Sequence, residues 1–453
     1  MSQTVLIWHY ILWGALLITA GFTLRAYRGA SLLSIFSVSL ALQVGTLAAT
    51  VSDFDILGID FTTSAQERMG ISLIISYAIL IFFLLGELGF HRRPRCLKTL
   101  SPVAIPRFWR VVGLALVVGI VAVRSFSATG RAVLQHGVGT IGTPEYYDLR
   151  VELIDLGNEN LSRLANYFEA FARQILFLML IIAALELAEK RTARRIAFYL
   201  ILLAGLFFNG LLMLQKTPIM LVLVAGGAPL LLATLRKKRS VSLRFALRMG
   251  VVIGVIMAAS VGLYSVTEGS SLSDSLTKPV VRIFAAPCYA TLMHFEVFPD
   301  TLNHMYWTDL TPVRLLLDKK SLMPGDDSIS VEVAYALTGN RFNANASAVG
   351  EGWACAGFGG VALEITVMAA FCFLTDQMTL RAGKGISLLP LAIYYWLGFA
   401  SFGNVAVFPC IIQHALFLVP AFYCLVLSHR TGSKKESLSV APAIAPLDGV
   451  QAS

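Results

Sequence analysis

The chain contains two stretches in which arginines lie among aromatic, amide and carboxylate side chains. Residues 145–173 read EYYDLRVELIDLGNENLSRLANYFEAFAR, and residues 278–318 read KPVVRIFAAPCYATLMHFEVFPDTLNHMYWTDLTPVRLLLD. A guanidinium group matches phosphate oxygens in two parallel hydrogen bonds. Aromatic rings stack on sugar faces, and Asn and Asp side chains bond sugar hydroxyls. This mixture suits the binding of a glycan attached to a lipid diphosphate.

Two basic residues are distinguished by their surroundings. Arg282 lies in an otherwise apolar stretch, five residues before Pro287, and is a candidate phosphate-binding and catalytic residue. The alternative is a cation that reaches from the apolar layer to the membrane interface. Lys216 precedes Pro218 in LLMLQKTPIM, where the free N–H groups of a helix start favour an anion. The alternative for Lys216 is ordinary capping of the membrane boundary.

The remaining candidate substrate-binding residues belong to the polar stretches. They are Arg150, Arg314, Arg341, Asn343 and Asn345. Arg314 and Arg341, taken singly, also fit the description of solvated loop charges. The collection of cations and amides therefore favours a binding site more than any single residue does.

Carboxylates supply the candidates for proton transfer. Glu351 begins a glycine-rich span, where we expect it to meet the outer aqueous face as a general base; the alternative is a carboxylate favoured by the helix dipole. Glu364 falls near the middle of that span, where a charge costs about 2.5–3.5 kcal/mol and usually faces a cavity or a partner. Asp53 and Asp55 have the DxD spacing of metal–diphosphate sites, but chance explains a lone match better. No metal site is predicted.

Other titratable residues are weaker candidates for a chemical role. His136, His294 and His304 are expected to face outward and are further candidate bases, although no nearby Ser or Cys pattern indicates a hydrolase triad. Glu87 and Glu186 lie near the inner ends of spans, where we expect them to form ion pairs with Arg and Lys.

Composition indicates lipid as the solvent around these residues. Hydrophobic residues make up 57% of the 453 positions, charged residues 14%, and the mean hydropathy is +0.73. A soluble core could not bury so much apolar surface. The six cysteines are scattered singly, which argues against a disulfide framework or a zinc site. The net charge of +9 does not indicate nucleic-acid binding, because cations concentrate in the cytoplasmic loops of membrane proteins.

Hydropathy predicts an all-α, polytopic membrane protein with about eleven transmembrane helices, within a range of about ten to fourteen. Apolar runs lie near residues 5–23, 31–51, 71–89, 111–123, 174–188, 196–214, 219–235, 249–265, 352–375, 386–402 and 409–428. The first run lacks a basic leader and a cleavage site, so we expect it to remain as a span. With the N-terminus outside, every inner loop carries at least two basic residues, which supports this orientation.

This topology gives one transmembrane domain at residues 1–430, followed by a disordered cytoplasmic tail at 431–453. Two long outer loops belong to the domain, at residues 124–173 and 267–350. The second lies between spans 8 and 9 and is expected to be large and partly helical. No internal repeat is evident, which weakens the case for an inverted-repeat transporter.

At these residues the chain resembles the O-antigen polymerases of Gram-negative bacteria, the Wzy-type polymerases of oligosaccharide repeat units. The resemblance is best from Asn209 to about Phe373. It is carried by the Gln215-Lys216-x-Pro218 turn, by Arg282 followed by Pro287, and by Asn343-Ala344-Asn345 before a glycine-rich span. The family also has an arginine, ten residues and a glycine in both loops. Arg131 to Gly142 and Arg314 to Gly325 have this spacing, whereas Met293 occupies the equivalent position after Arg282.

The resemblance implies a metal-independent glycosyltransferase of the bacterial inner membrane that needs no cofactor and acts on the periplasmic face. Its partners would be undecaprenyl-diphosphate-linked oligosaccharides, membrane lipid and a chain-length regulator, with no nucleic acid. A hydroxyl of one repeat unit would attack the anomeric carbon of the growing chain, and lipid diphosphate would leave. Such a step needs a proton acceptor, and cations that hold the departing charge.

Three alternatives remain open from the residues. An O-antigen ligase uses the same carrier, but the histidine-led, Gly- and Thr-rich motif of that family is missing. A flippase or transporter of the lipid-linked unit should line its central spans with polar groups, and the mid-span stretches carry few. A structural membrane protein would explain the spans, although it leaves the outer arginines, tyrosines and tryptophans incidental.

Overall fold

The computed structural model describes the chain in twelve pieces, of which the single residue 344 is the smallest. They are residues 1–27, 30–46, 59–90, 105–136, 163–213, 216–237, 281–307, 329–339, 344, 347–382, 389–402 and 419–424. Nearly all of these residues are helical, and none of them forms a strand. The predicted all-α fold is therefore confirmed.

The described helices are numbered in chain order. In order they are α1 (Gln3–Ala26), α2 (Leu32–Leu40), α3 (Thr63–Phe90), α4 (Arg107–Ser125), α5 (Ala128–His136), α6 (Arg163–Glu189), α7 (Ala193–Leu212), α8 (Lys216–Lys237), α9 (Ala286–Val297), α10 (Ile329–Thr338), α11 (Ala348–Ala382) and α12 (Leu389–Phe402). A π-helical turn, Ala41–Gly45, continues α2, and another, Val281–Ala285, leads into α9.

Six of the described helices are long and apolar enough to cross a membrane, namely α1, α3, α4, α6, α7 and α11. These helices fit a multi-pass membrane protein. The predicted span at 249–265 lies outside the described residues, and the one at 409–428 is described only at 419–424. The count of about eleven spans therefore stays a prediction.

Large apolar side chains remain on the outside of the helices. On α1, Ile18 and Phe22 are 63% and 60% exposed, while the polar side chains of His9 and Thr23 are buried. Water would oppose such an arrangement, whereas hydrocarbon tolerates it, because lipid tails are as apolar as these side chains. The outward apolar surface therefore fits a lipid environment.

The helices around the candidate site run alongside α3. Helix α11 lies parallel to α3, since Trp353 lies beside Arg68 near their starts and Phe373 contacts Phe83 further along. Helix α9 packs against both α3 and α11. Helices α4, α6, α7 and α8 pack against one another, and α12 contacts α2, α6 and α8.

Part of the predicted second outer loop is packed into this bundle. Helix α9 is buried on nearly all sides, and its Glu296 accepts hydrogen bonds from the backbone N–H (2.9 Å) and hydroxyl (3.0 Å) of Thr62. Thr291 and Ser347 join the middle of α9 to the start of α11 through hydroxyls 3.0 Å apart. The described residues of 267–350 include α9 and α10, and α9 is a packed element of the bundle.

Helix α11 is sharply kinked. The backbone angles of Ala356 (φ −157°, ψ 36°) and Gly357 (φ 58°, ψ −140°) are not helical. Residues other than glycine adopt the backbone conformation of Gly357 only at an energetic cost. Residues 348–355 consequently fold back against the helix that follows. The backbone carbonyl of Gly352 lies only 1.9 Å from the position that a Cβ on Gly360 would occupy.

Gly360→Ala should destabilise the protein because its methyl group cannot fit beside the Gly352 carbonyl without opening the fold-back. We expect a loss of about 1–3 kcal/mol, the usual cost of overpacking, measured as the free energy of unfolding in detergent. Gly359→Ala is the matched control, since a Cβ there meets nothing within 4 Å. Equal stability of the two variants would contradict the tight contact between Gly352 and Gly360.

Candidate functional site

The kink of α11 brings two carboxyl groups together. Glu351 lies before the kink and Glu364 after it, and the fold-back brings their side chains into contact. Trp307 donates from Nε1 to Oε1 of Glu364 at 3.1 Å. Glu351 is 9% exposed and Glu364 is 4% exposed. The prediction of a partner for Glu364 is confirmed. The fold-back buries the Glu351 side chain, and its predicted position near the outer aqueous face stays a prediction.

The contact between these side chains has a chemical consequence. Two buried carboxyl groups in contact favour the state in which one of them carries a proton, because two carboxylates repel each other. One member of such a pair can accept a proton while the other donates one. We call Glu351 and Glu364 the carboxyl pair.

Trp353 lies two residues after Glu351 on the folded-back helix and is packed among other aromatic groups. Its Nε1 donates to the carbonyl of Phe298 at 2.9 Å, and its ring stacks on Phe295 with centroids 4.7 Å apart. The guanidinium carbon of Arg68 lies 6.0 Å from the ring centroid, within the range of a cation–π contact. Arg68 also forms an ion pair of 2.8 Å with Asp300. A cation and an aromatic surface thus adjoin the helix that carries Glu351.

Residues 298–307 hold the end of this folded-back helix. The backbone N–H groups of Met305 and Tyr306 donate to the carbonyls of Ala354 (3.1 Å) and Cys355 (2.8 Å). Tyr306 and Trp307 both have positive φ angles, 52° and 58°, which are rare for bulky residues. The backbone hydrogen bonds stabilise this turn, and the turn directs Trp307 towards Glu364.

The other predicted site residues are not joined to Glu351 by the described structure. Arg282 lies in the π-turn before α9, and Lys216 is the first residue of α8; nothing is described of either side chain. Outside the described residues lie Arg150, Arg314, Arg341, Asn343 and Asn345, and also Asp53 and Asp55. Their roles remain predictions.

The predicted histidine bases differ in their surroundings. His294 is buried in α9, and its Nδ1 is 2.9 Å from the carbonyl of Ala290. Burial lowers the pKa of His294 to about 4, because a charged imidazolium loses its hydration there. His294 is therefore a buried side chain, and its predicted position on the outer side of the membrane stays a prediction. His304 is partly exposed, with its Nδ1 3.3 Å from the Ala354 carbonyl, and His136 ends α5.

Glu186 and Glu87, which were both predicted at inner ends of spans, have different partners. Glu186 forms ion pairs with Arg110 (2.8 Å) and Arg195 (3.8 Å), as expected. Glu87 instead lies beside Asp376 and within 3.4 Å of the Ser31 hydroxyl. The predicted ion pair of Glu87 is thus not seen among the described residues, because the fold places a second carboxyl group next to it.

Sequence reasoning missed the polar contacts of Trp307, Arg68 and Asp376. Their partners are far away along the chain, so no local spacing marks them. Arg68 could have been noted only as a charged side chain near the start of a predicted span, and Trp307 carries no such signal. Within the described residues, no group of three or more His, Cys, Asp or Glu side chains is arranged to hold a metal ion.

The chain was compared with protein-family models, with curated proteins and with solved structures. None of them matches. The chemistry of the carboxyl pair and its surroundings is therefore the basis for a functional proposal.

Proposed function

We propose that this membrane protein polymerises lipid-linked oligosaccharide repeat units on the periplasmic face of the bacterial inner membrane. The carboxyl pair at the kink of α11 is the single observation that supports this most. A glycosyl transfer from a lipid diphosphate needs a group that accepts the proton of the attacking hydroxyl. Glu351, with a neighbouring carboxyl group to share protons, is suited to this task. The resemblance to O-antigen polymerases supplies the substrate class.

In the proposed reaction a hydroxyl of the incoming repeat unit attacks the anomeric carbon of the growing chain. Glu351 accepts the hydroxyl proton as the new glycosidic bond forms. The bond between the anomeric carbon and the diphosphate oxygen breaks, and that oxygen keeps the electron pair. Cations stabilise the charge that develops on the leaving diphosphate; Arg282 is our candidate for this role.

The remaining predicted residues would bind the two substrates. Arg150, Lys216, Arg314 and Arg341 suit diphosphate oxygens, and Asn343 and Asn345 suit sugar hydroxyls. Trp353 and the adjacent Arg68 add an aromatic face and a cation next to the helix of Glu351. This combination supports a site for a charged, sugar-bearing ligand.

The decisive experiment uses the purified full chain in nanodiscs with synthetic lipid-diphosphate repeat units, with and without a chelator. We expect a ladder of longer glycans in both conditions and release of free lipid diphosphate. Movement of the lipid-linked sugar across the bilayer without chain growth would indicate a flippase instead. Transfer of finished polymer to a lipid A acceptor, without chain growth, would indicate a ligase.

Arg282→Ala is expected to abolish long polysaccharide while the amount of protein in the membrane is unchanged. The reason is that the departing diphosphate loses the cation that stabilises it. The readout is the polysaccharide ladder from cells that carry only the variant. Arg239→Ala, in a loop that we expect to face the cytoplasm, is the matched control and should give a normal ladder. A normal ladder with Arg282→Ala would remove Arg282 from the mechanism.

A further inference from the structure

A second buried cluster of charged groups lies where α4, α6 and α7 meet, away from the carboxyl pair. Glu169 of α6 is 1% exposed and accepts two hydrogen bonds from Arg124 of α4, at 3.1 Å from Nε and 2.6 Å from Nη2. Asn209 of α7 donates to the same carboxylate at 3.2 Å. A two-pronged contact of this kind is the strongest form of ion pair between side chains. The charge of Glu169 is therefore balanced by Arg124.

Arg173, one helical turn after Glu169, is an additional cation in this cluster. Its Nη1 lies 3.9 Å from Oε1 of Glu169, beyond hydrogen-bond distance. The same nitrogen contacts the sulfur of Met213 at 2.8 Å, and a thioether is a weak acceptor. The side chain of Arg173 is only 19% exposed. Two guanidinium groups and one carboxylate leave one positive charge unbalanced among these residues.

A buried charge is costly unless an opposite charge accompanies it. A second unsatisfied group lies in the same cluster, because Oδ1 of the fully buried Asn209 has no partner among the described residues. The cluster therefore has both a spare cationic donor and a spare acceptor. An anion that also carries a hydroxyl or a protonated oxygen, such as a phosphate ester, matches both.

The neighbouring chain adds features that favour the same ligand. Met213, which touches Arg173, is the C-cap residue of α7, and α8 begins only three residues later at Lys216. Helix α8 packs directly against α6. The free N–H groups of a helix start attract an anion. In the predicted orientation, this end of α6, α7 and α8 faces outward, at the level of lipid headgroups.

We propose that Arg173, together with Arg124 and Asn209, forms a binding site for the phosphate group of a lipid. The site itself does not depend on the proposed function. The identification of its ligand as the polyprenyl diphosphate carrier does rest on that function. The site would hold the diphosphate of the incoming repeat unit, whose bond to its own sugar is not broken, at the ends of α6 and α7, while other cations bind the diphosphate that leaves the growing chain near Glu351.

The proposal is tested with the full chain in phosphatidylcholine nanodiscs, using farnesyl diphosphate as the probe and farnesol as its uncharged counterpart. We expect the diphosphate to bind at least about tenfold more tightly than farnesol. Arg173→Gln should weaken diphosphate binding by about tenfold or more, since a hydrogen bond to a charged group contributes about 1.5–3 kcal/mol. Arg173→Lys keeps the charge and should retain most of the affinity.

Glu169→Gln provides a test in the opposite direction. It removes the carboxylate that occupies Arg124, so diphosphate binding should become tighter, provided that circular dichroism shows an intact helical fold. A purely structural role of Arg173 and Glu169 would weaken binding in both variants. Equal affinity of the wild type and Arg173→Gln, or a wild type that prefers farnesol, would overturn the proposal.

Changing the lipid of the nanodisc distinguishes two possible ligands, the diphosphate carrier and an ordinary anionic lipid headgroup. If phosphatidylglycerol in place of phosphatidylcholine leaves farnesyl diphosphate binding unchanged, the site selects the diphosphate carrier. If phosphatidylglycerol competes for the site, its ligand is an ordinary anionic headgroup, and only the carrier assignment is overturned. Diphosphate binding that depends on Arg173, in a protein without polymerase activity, would disprove the proposed function and leave the site intact.

Discussion

Glu351→Gln should reduce chain growth by about 10²–10⁴-fold, the usual contribution of a general base. The amide has nearly the shape of the carboxylate, so it keeps the packing of the folded-back helix but cannot accept the proton of the attacking hydroxyl. Chain growth is measured with purified protein and synthetic lipid-diphosphate repeat units, as lipid diphosphate released per unit time. Substrate binding should change little, because the diphosphate is held by cations elsewhere.

Two further variants separate this role from a structural one. Glu364→Gln can still accept the Trp307 hydrogen bond and can donate an N–H to Glu351, so it should keep measurable activity, lower than that of the wild type. Glu332→Gln is the matched control, because Glu332 is a buried carboxyl group of α10 outside the carboxyl pair. Full activity of Glu351→Gln would rule out Glu351 as the base, and another residue would then have to accept the proton.

Asp376→Ala should cause the largest loss of stability among the variants considered. Asp376, near the end of α11, accepts hydrogen bonds from the backbone N–H groups of Leu32 (2.9 Å) and Leu33 (3.0 Å) and from the hydroxyl of Ser31 (3.1 Å). It therefore caps the start of α2 from a helix more than 300 residues later in the chain. Removing it leaves the two buried N–H groups of Leu32 and Leu33 without their acceptor, at about 1–3 kcal/mol each, whereas the Ser31 hydroxyl still reaches the Ser34 hydroxyl at 2.8 Å.

We expect Asp376→Ala to have a clearly lower melting temperature in detergent, measured by fluorescence or circular dichroism. Less of this variant should also be recovered from the membrane. Glu87→Gln is the matched control at the same cluster. Its amide can still bond Ser31 and can donate to Asp376, so the melting temperature should stay close to that of the wild type. A wild-type melting temperature for Asp376→Ala would mean that other groups accept hydrogen bonds from the backbone N–H groups at the start of α2.

Local sequence patterns predicted the helices well where each one is stabilised by its own apolar composition. The apolar runs at 5–23, 111–123 and 196–214 correspond to α1, α4 and α7, whose ends in the structure lie within a few residues. Lipid forces a helix on such runs because it offers no partner for a free backbone group. Ion pairing near the predicted inner ends of spans was also predictable, as the ion pairs of Glu186 show.

The candidate site was only partly predictable. Glu351 and Glu364 were each recognised, one as a base and the other as a mid-span charge that needs a partner. Their contact was not predictable, because it depends on the fold-back at Gly357 and on the packing of Gly352 against Gly360. The partnership of Arg124, Glu169 and Arg173 likewise joins helices that are separated in sequence.

The sequence by itself thus determined that the chain is a helical membrane protein, and it identified most of the titratable residues that could carry chemistry. Composition and hydropathy suffice for this, because each span satisfies its own backbone and faces the same apolar solvent. Only the tertiary structure decided which charges meet, which are buried and which end of a helix is capped by a distant residue. Those contacts depend on how helices pack and bend, and a buried charge takes its partner from whichever helix lies beside it.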